Sequence, residues 1–366
     1  MNLITIKIEQ LFKEGIENNA ILHSGMFNDT EIAAILKECK ADFSKNKIKP
    51  VSINGLYYKI FYFKHRPLRG YLKKGGLLDR LGIINIEAES YYEVPSSDSP
   101  DFLSYVPKKD LPKEASFRTA SIFPNYNEDP NKNKNPKGKF FRITLHAQDR
   151  SASDFNITPN WAPFCPEEKE HFIVVSAPYD KKALRQIFHT NRTLYWIDDL
   201  MSQLNSCEYS GFFNITSYSM DTLHYQLLKT KLPVFDRLGV LYPDKTILAP
   251  IKTTKSDWVF PGILCRYKED GSKNTVLAKF EKMILKWQSE NSQRTFDILF
   301  HITDDGYREF YCIFRDKDLI YIKPGNVKAQ ITMAGLETSG IIIVESSTIF
   351  KAFPEIIADF KLEKRE

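Results

Sequence analysis

The chain has 366 residues, of which 42% are hydrophobic and 13% aromatic, so it is long enough for one large or two modest domains and is not a disordered polypeptide. Its 51 basic and 46 acidic residues give a net charge of +5, which suits an anionic small molecule such as a nucleotide and is too small to indicate nucleic acid binding. The five cysteines are scattered and include no CxxC pair, which disfavours a disulfide framework or a thiolate zinc site and predicts a cytoplasmic location.

The N-terminal part is predicted to contain two helices and a β-hairpin. Apolar residues recur at helical spacing from the first turn onward, and Asn28-Asp29-Thr30-Glu31 opens a second helix, so residues 1–46 are predicted to be helical. Residues 51–64 form strands around the turn signal Asn54-Gly55. The charged first residues do not form a signal peptide, and no apolar run approaches the roughly 18 residues of a membrane span.

A basic, glycine-containing loop follows at residues 65–76. Its composition favours a solvated surface loop, and the alternative is that Arg66, Arg69 and Lys73 hold phosphate groups. Residues 95–138 are rich in Pro, Ser, Asn and Lys and are predicted to be a loop.

The rest of the chain is predicted to alternate strands with helices. Because hairpins are separated by helices, the pattern predicts an α+β fold with antiparallel sheets. The predicted strands are 139–146, 171–177, 211–218, 221–229, 258–267, 295–303, 307–315 and 340–344, with an Asp304-Asp305-Gly306 turn. The predicted helices are near 181–190, 193–206, 274–288 and 326–336, and a last helix closes the chain.

The strand at residues 219–228 carries the most informative pattern. Alternate side chains of a strand point the same way, so Thr222, His224 and Gln226 share one polar face. Periodicity alone favours a satisfied core histidine, and the alternative is an imidazole offered to a ligand. The opposite, apolar face carries Leu223, Tyr225 and Leu227.

Three blocks of the sequence follow one another in an informative order and spacing: Pro163 to Val175, Gly211 to Gln226, and Phe296 to Ile343. They contain a proline segment before an apolar strand, a Gly-aromatic-Asn run before a Thr-x-His-x-Gln strand, and a hairpin before a Gly-hydrophobic strand. They resemble the histidine-triad superfamily, in the branch of hexose-1-phosphate nucleotidylyltransferases and phosphorylases. The nearest likeness is to GDP-hexose phosphorylases, and diadenosine tetraphosphate phosphorylases are a more distant one.

The resemblance implies antiparallel histidine-triad-like sheets flanked by helices, in two halves. Residues 116–235 correspond to the catalytic half and residues 236–366 to the C-terminal half, while residues 1–115 are an N-terminal extension of helices, hairpin and basic loop.

Matched residue by residue, the resemblance assigns the site. The nucleophile falls on His224, the phosphate-supporting glutamine on Gln226, and the histidine that buttresses the active-site imidazoles on His171. Basic side chains of the 65–76 loop add positive charge at the phosphates. The polar residues that line the nucleotide's phosphates fall on Asn214, Ser217 and Ser219.

The chain departs from the family at Thr222, which stands where the first histidine of the pair is expected. A threonine hydroxyl can donate a hydrogen bond to substrate but carries no charge near neutral pH. Loss of a supporting acid–base group costs about 10²–10⁴ in rate, so activity is expected to be slow, redirected to another nucleotide, or absent. His146 and His189 are candidates for an imidazole supplied from elsewhere.

The resemblance implies an enzyme, a nucleotidyltransferase or phosphorylase that cleaves a nucleoside diphosphate hexose through a nucleotidyl-histidine intermediate. Its partners are a nucleotide sugar or related nucleotide and inorganic phosphate, without nucleic acid or membrane, and the chain is expected to form a homodimer. The scheme requires no cofactor and no metal, and zinc ligands of the galactose-1-phosphate uridylyltransferases have no counterpart in the sequence.

Two other functions fit the same residues. A degenerate relative would bind nucleotide or a protein partner without turnover, as Thr222 and the 125–139 insertion suggest. A transferase would place the nucleotidyl group on a protein.

Overall fold

The structure is a computed structural model, and the described parts of the chain are interrupted by gaps. They are residues 3–17, 30, 47–53, 56–62, 91–95, 103–107, 143–145, 154–160, 170–177, 186–215, 223–242, 247–251, 258, 260–269, 272–316, 321–322, 331–332 and 334–344.

The described residues form strands and helices along the whole chain. The strands are β1 (Lys47–Ile53), β2 (Leu56–Tyr62), β3 (Tyr91–Pro95), β4 (Leu103–Pro107), β5 (Ile143–Leu145), β6 (Asp154–Pro159), β7 (His171–Ala177), β8 (Ser210–Asn214), β9 (His224–Leu228), β10 (Ile247–Ile251), β11 (Gly262–Tyr267), β12 (Arg294–Ile302), β13 (Arg308–Asp316), β14 (Tyr321–Ile322), β15 (Ile331–Thr332) and β16 (Ile341–Val344). The helices are α1 (Leu3–Glu17), α2 (Thr193–Leu204), α3 (Pro233–Leu241), α4 (Lys273–Ser289) and α5 (Gly335–Thr338). No helix within these ranges is long and apolar enough to cross a membrane.

Nine strands form one antiparallel sheet in the order β10-β11-β13-β12-β8-β9-β7-β6-β5. Two units of the same topology make up most of it, β6–β7–α2–β8–β9 and β10–β11–α4–β12–β13. In each unit the strands lie in the order first, second, fourth, third, and the two third strands, β8 and β12, pair with each other. The predicted α+β fold with antiparallel sheets and flanking helices is therefore confirmed.

One face of the sheet, the core face, packs against helices and forms the main hydrophobic core. Strand alternation places Tyr225 and Leu227 of β9 there, together with Phe213 of β8. The covering helices are α1, α2 and α4. In α4 the predicted amphipathic spacing is confirmed, because Leu277, Phe280 and Ile284 are fully buried.

The opposite face, the polar face, lies beneath smaller elements. A three-stranded sheet in the order β1-β2-β16 contains the predicted N-terminal hairpin, in which Ile53 pairs with Leu56. Helix α3 contacts β2, and α5 contacts β8, β12 and β16. The backbone of Val234 in α3 donates a hydrogen bond to the Ser339 carbonyl beside α5, at 3.1 Å.

The structure differs from the sequence-based prediction in several segments. The predicted helix at 181–190 is wrong over 186–190, which form bends and a turn, and the predicted helix at 326–336 is wrong at 331–332, which form β15. Strands β3, β4, β6, β10 and β14 and helix α3 were not predicted, and β4 lies within the segment 95–138 that was predicted to be a loop. The second N-terminal helix, the 65–76 loop and the closing helix lie outside the described residues, except for residue 30, which is helical.

Helix α1 is joined to the end of β9 by charge. Lys229 Nζ lies 2.6 Å from a Glu9 carboxylate oxygen and 3.5 Å from Glu170, which also accepts a hydrogen bond of 3.1 Å from the Tyr209 hydroxyl. Burial raises the pKa of Glu170, and Lys229 opposes that change. The contact fixes the N-terminal helix against the strand of the candidate nucleophile.

The second unit contains a buried ion pair between β13 and β11. Glu309 is fully buried in an ion pair with Arg266, the residue opposite it on β11.

A buried histidine lies at the joint between the units. His301 of β12 pairs with Ser210 of β8, and its Nδ1 lies 3.1 Å from the serine Oγ and 3.0 Å from the Tyr209 carbonyl oxygen. Because a carbonyl only accepts, Nδ1 carries the proton of the neutral ring. The ring stacks on Phe235 of α3, and burial lowers the pKa of His301 to about 4.

Substituting Gly262 by alanine is expected to destabilise the protein by about 1–3 kcal/mol, because a Cβ there overlaps the Cys312 carbonyl oxygen of the adjacent strand. The matched change at Gly239 of α3 meets no atom within 4 Å and is expected to stabilise by about 0.5–1 kcal/mol through helix propensity. Urea denaturation measures both free energies of unfolding. Equal effects of the two substitutions would contradict the packing at β11.

The low pKa of His301 predicts an acid-dependent loss of stability. Between the folded pKa of about 4 and the unfolded value, the unfolded chain binds more protons, so the free energy of unfolding falls as pH is lowered. We expect the His301 contribution to fall by about 2 kcal/mol from pH 7 to pH 5. His301→Gln keeps a donor for Tyr209 and removes the titration.

The measurement is urea denaturation of wild type and His301→Gln across this pH range. The raised pKa of Asp297 makes the free energy of unfolding rise as pH is lowered, and it does so in both proteins. The difference between the pH slopes of the two proteins therefore reports on His301. Parallel slopes would show that this histidine titrates normally.

Candidate active site

The predicted alternation of β9 is confirmed on both of its faces. Leu223, Tyr225 and Leu227 lie in the core cluster, so His224 and Gln226 point to the polar face. His224 is 3% exposed and Gln226 is half-buried. The histidine is thus on the central strands of the sheet and on the side away from the main core.

The neighbouring strands also place polar residues on the polar face, beside His224 and Gln226. Phe212 pairs with Gln226, and two residues further along the same two strands stand Asn214 and His224. Asp297 of β12 pairs with Asn214. Paired residues of an antiparallel sheet share a face, so an imidazole, an amide and a carboxylate occupy successive strands of the polar face.

His171 is held against the candidate phosphate-supporting glutamine. Its Nε2 lies 2.8 Å from Gln226 Oε1, and Asn160 Nδ2 lies 3.3 Å from the same ring. An amide oxygen only accepts, so His171 donates this hydrogen bond and leaves the Gln226 NH₂ group as the donor to other groups.

The resemblance implied that His171 supports the active-site imidazoles, and in the described structure His171 contacts Gln226 instead. His171 pairs with Leu228, whereas Val175, four residues further along β7, pairs with His224. At about 3.3 Å per residue, this places the two histidine backbones roughly 13 Å apart along the strands. His171 therefore orients Gln226.

Asn214 and Asp297 are fixed by elements from the C-terminal part of the chain. Asn214 Oδ1 accepts a hydrogen bond of 3.2 Å from the backbone N–H of Gly335. Arg315 Nη2 donates a hydrogen bond to Asp297 Oδ1 at 3.1 Å, and Arg315 Nε lies 3.1 Å from Oδ2 as an ion-pair contact. Arg315 is 4% exposed, so it is a buried partner and not a solvated strand end.

Burial and the contacts of Asp297 shift its pKa in opposite directions. Burial raises the pKa of Asp297 to about 6, while Arg315 and the backbone N–H of Ile215 oppose the change. The carboxylate is therefore ionised above that pH, and its contact with Ile215 holds the chain where β8 leaves the sheet.

Gln186 is a site residue that the sequence analysis missed. It is 1% exposed, and its side-chain amide hydrogen-bonds the backbone of both Asn214 and His224. An isolated glutamine in a segment predicted to be helical carries no signal for such a role.

His189, a candidate for the missing imidazole, lies away from the polar face. It packs against Trp196 of α2 on the helical side of the sheet, so it does not supply an imidazole there. No cluster of His, Cys, Asp or Glu within the described ranges could hold a metal ion. Ser217, Ser219, Thr222, Arg66, Arg69, Lys73 and His146 lie outside the described residues.

This arrangement has the parts for nucleophilic chemistry on an anionic group. A neutral imidazole is nucleophilic near pH 7, and primary amides donate hydrogen bonds to developing charge on oxygen. His224 and Gln226 provide these two functions from one strand, and Asn214 stands beside them.

The sequence matches no protein-family model and no curated protein. The fold is similar to that of the yeast Ap4A phosphorylase Apa2. Its crystal structure gives a TM-score of 0.51 at 13% identity over 98% of this chain and 96% of Apa2, and its complex with AMP gives 0.50 at 12% identity over 97% and 92%. At these identities the likeness shows the fold alone, an α+β architecture with a large antiparallel sheet and flanking helices.

Proposed function

We propose that this chain is a nucleotide phosphorylase that works through a nucleotidyl-histidine intermediate. The observation that carries the proposal is the placement of His224 and Gln226 on the polar face of a central strand, with Asn214 on the next strand. The likeness in fold to the Ap4A phosphorylase Apa2 supports it.

The reaction divides one displacement into two. A ring nitrogen of His224 forms a bond to the α-phosphorus of the nucleotide, and the phosphoanhydride P–O bond breaks with its electron pair going to the leaving phosphate oxygen. An oxygen of inorganic phosphate then attacks the same phosphorus and forms a P–O bond, while the P–N bond breaks with its electron pair returning to the imidazole, and nucleoside diphosphate is released. Gln226 donates to the phosphoryl oxygens in both steps.

The substrate is a nucleotide in which a phosphoanhydride joins the α-phosphate to a good leaving group. A GDP-hexose, with hexose 1-phosphate as leaving group, follows from the resemblance in sequence blocks, and a dinucleoside polyphosphate, with a nucleoside polyphosphate as leaving group, follows from the fold. Because His224 is 3% exposed, the nucleotide reaches the ring only after the atoms that cover it move.

A nucleotide-binding protein without turnover is the second candidate. It is favoured by Thr222 in the place of a family histidine and by the burial of His224. The two candidates differ in one observable, the covalent phosphoramidate on the protein.

The test incubates the protein with α-³²P-labelled GDP-glucose, GDP-galactose or Ap4A in the absence of phosphate. We expect an acid-labile, alkali-stable labelled protein that releases nucleoside diphosphate when phosphate is added. His224→Ala is expected to lower turnover by at least about 10³-fold, because it removes the nucleophile. His189→Ala is the matched control, since His189 lies on the helical side of the sheet, and it should label as wild type does.

Absence of label and of turnover with all three nucleotides would reject the phosphorylase. Calorimetry then decides the second candidate, which requires nucleotide affinity that survives His224→Ala.

A further inference from the structure

The hydrogen-bonded ladder between β8 and β9 stops at the residues of the candidate site. Its pairs are Ser210 with Leu228, Gly211 with Leu227, and Phe212 with Gln226. If the ladder continued, Asn214 and His224 would be paired two residues beyond Phe212 and Gln226. Hydrogen-bonded pairs alternate with non-hydrogen-bonded pairs in an antiparallel ladder, and the Asn214 carbonyl and both backbone groups of His224 bind the same Gln186 amide, as expected for a pair of the hydrogen-bonded kind.

The side-chain amide of Gln186 takes the place of that missing rung. Its Nε2 donates to the carbonyl oxygens of Asn214 at 2.8 Å and His224 at 3.1 Å, and its Oε1 accepts from the His224 backbone N–H at 2.7 Å. One amide therefore satisfies both backbone groups of the candidate nucleophile and bridges to the adjacent strand.

The position of Gln186 is in turn fixed by the helical layer. Phe188 packs edge-on against Phe296 of the core, with ring centroids 5.3 Å apart. The backbone N–H of Asn191 donates to Glu281 of α4 at 2.7 Å, and the backbone N–H of His189 donates to Thr193 of α2 at 2.8 Å. The segment that carries Gln186 is therefore attached to α2 and α4, two of the three helices that cover the core face.

We propose that Gln186 is a positioning residue for the reaction at His224, an inference that rests on the proposed function. It holds the backbone of His224 where β8 and β9 separate, and it acts from the helical side without belonging to the polar face. A reacting group must be held within a fraction of an ångström, and a displacement of about 1 Å costs on the order of 10²-fold in rate.

The test compares Gln186→Met with the matched change Gln203→Met. Methionine keeps the length and volume of glutamine and loses all three hydrogen bonds, whereas the Gln203 side chain of α2 donates to Asp199 of the same helix at 3.2 Å. We expect Gln186→Met to slow labelling and kcat by about 10- to 100-fold, with nucleotide Kd unchanged within about 2-fold. Gln203→Met should match wild type in both.

Hydrogen exchange of the His224 amide is measured in the same proteins by NMR. Loss of its acceptor is expected to speed exchange of this amide by at least about 10-fold in Gln186→Met, with the amides of β12 and β13 unchanged. If Gln186→Met does not fold, Gln186→Glu replaces it, because a carboxylate keeps an acceptor for the His224 N–H and loses both donors; kcat should still fall.

The labelling experiment tests the proposed function, and the hydrogen-exchange experiment tests the positioning role of Gln186. A wild-type protein that forms no labelled adduct rejects the proposed function, while the exchange result still decides whether Gln186 holds His224. Variants at Gln186 that keep wild-type kcat, or that change kcat and Kd together with global exchange, would overturn the positioning role.

Discussion

The antiparallel pairing of β8 with β12 is the interaction on which the rest of the molecule depends. It joins two units of equal topology into a single sheet of nine strands, and its register decides which side chains share a face. A shift of one residue would move Asn214 and Asp297 to opposite faces. The buried contacts of His301 with Ser210 and Tyr209 oppose such a shift, because they would be left unsatisfied inside the protein.

Equal topology does not give the two units equal chemistry. Strand β9 of the first unit has His224 opposite Val175, whereas β13 of the second unit has Glu309 opposite Arg266. Removing one partner of a buried ion pair costs about 3–5 kcal/mol, so the Glu309–Arg266 pair helps to hold β13 and β11 together. The candidate imidazole belongs to the first unit, the second unit supplies Asp297 and Arg315, and Gly335 comes from the later helix α5.

Local pattern was enough to predict β9, β7, α2, α4 and the β12–β13 hairpin, because each buries one face with a clear period. The same alternation assigned His224 and Gln226 to a common face. Strand β6, DFNITP, alternates polar and apolar residues, and it was missed because it has only six residues and ends in a proline, which a sheet strand seldom contains. Gln186 has its role only because the fold brings it next to Asn214 and His224, which lie 28 and 38 positions away in the chain. A local sequence pattern cannot indicate such a contact.

The salt bridge between Glu9 and Lys229 joins residues separated by 220 positions in the chain. During synthesis α1 leaves the ribosome long before the strands that it covers exist, and the side chains of Ile8 and Phe12 that end up fully or almost fully buried are then without their native cover. Contacts of such long range slow folding, so the nascent polypeptide presents an apolar helix to chaperones for most of its translation.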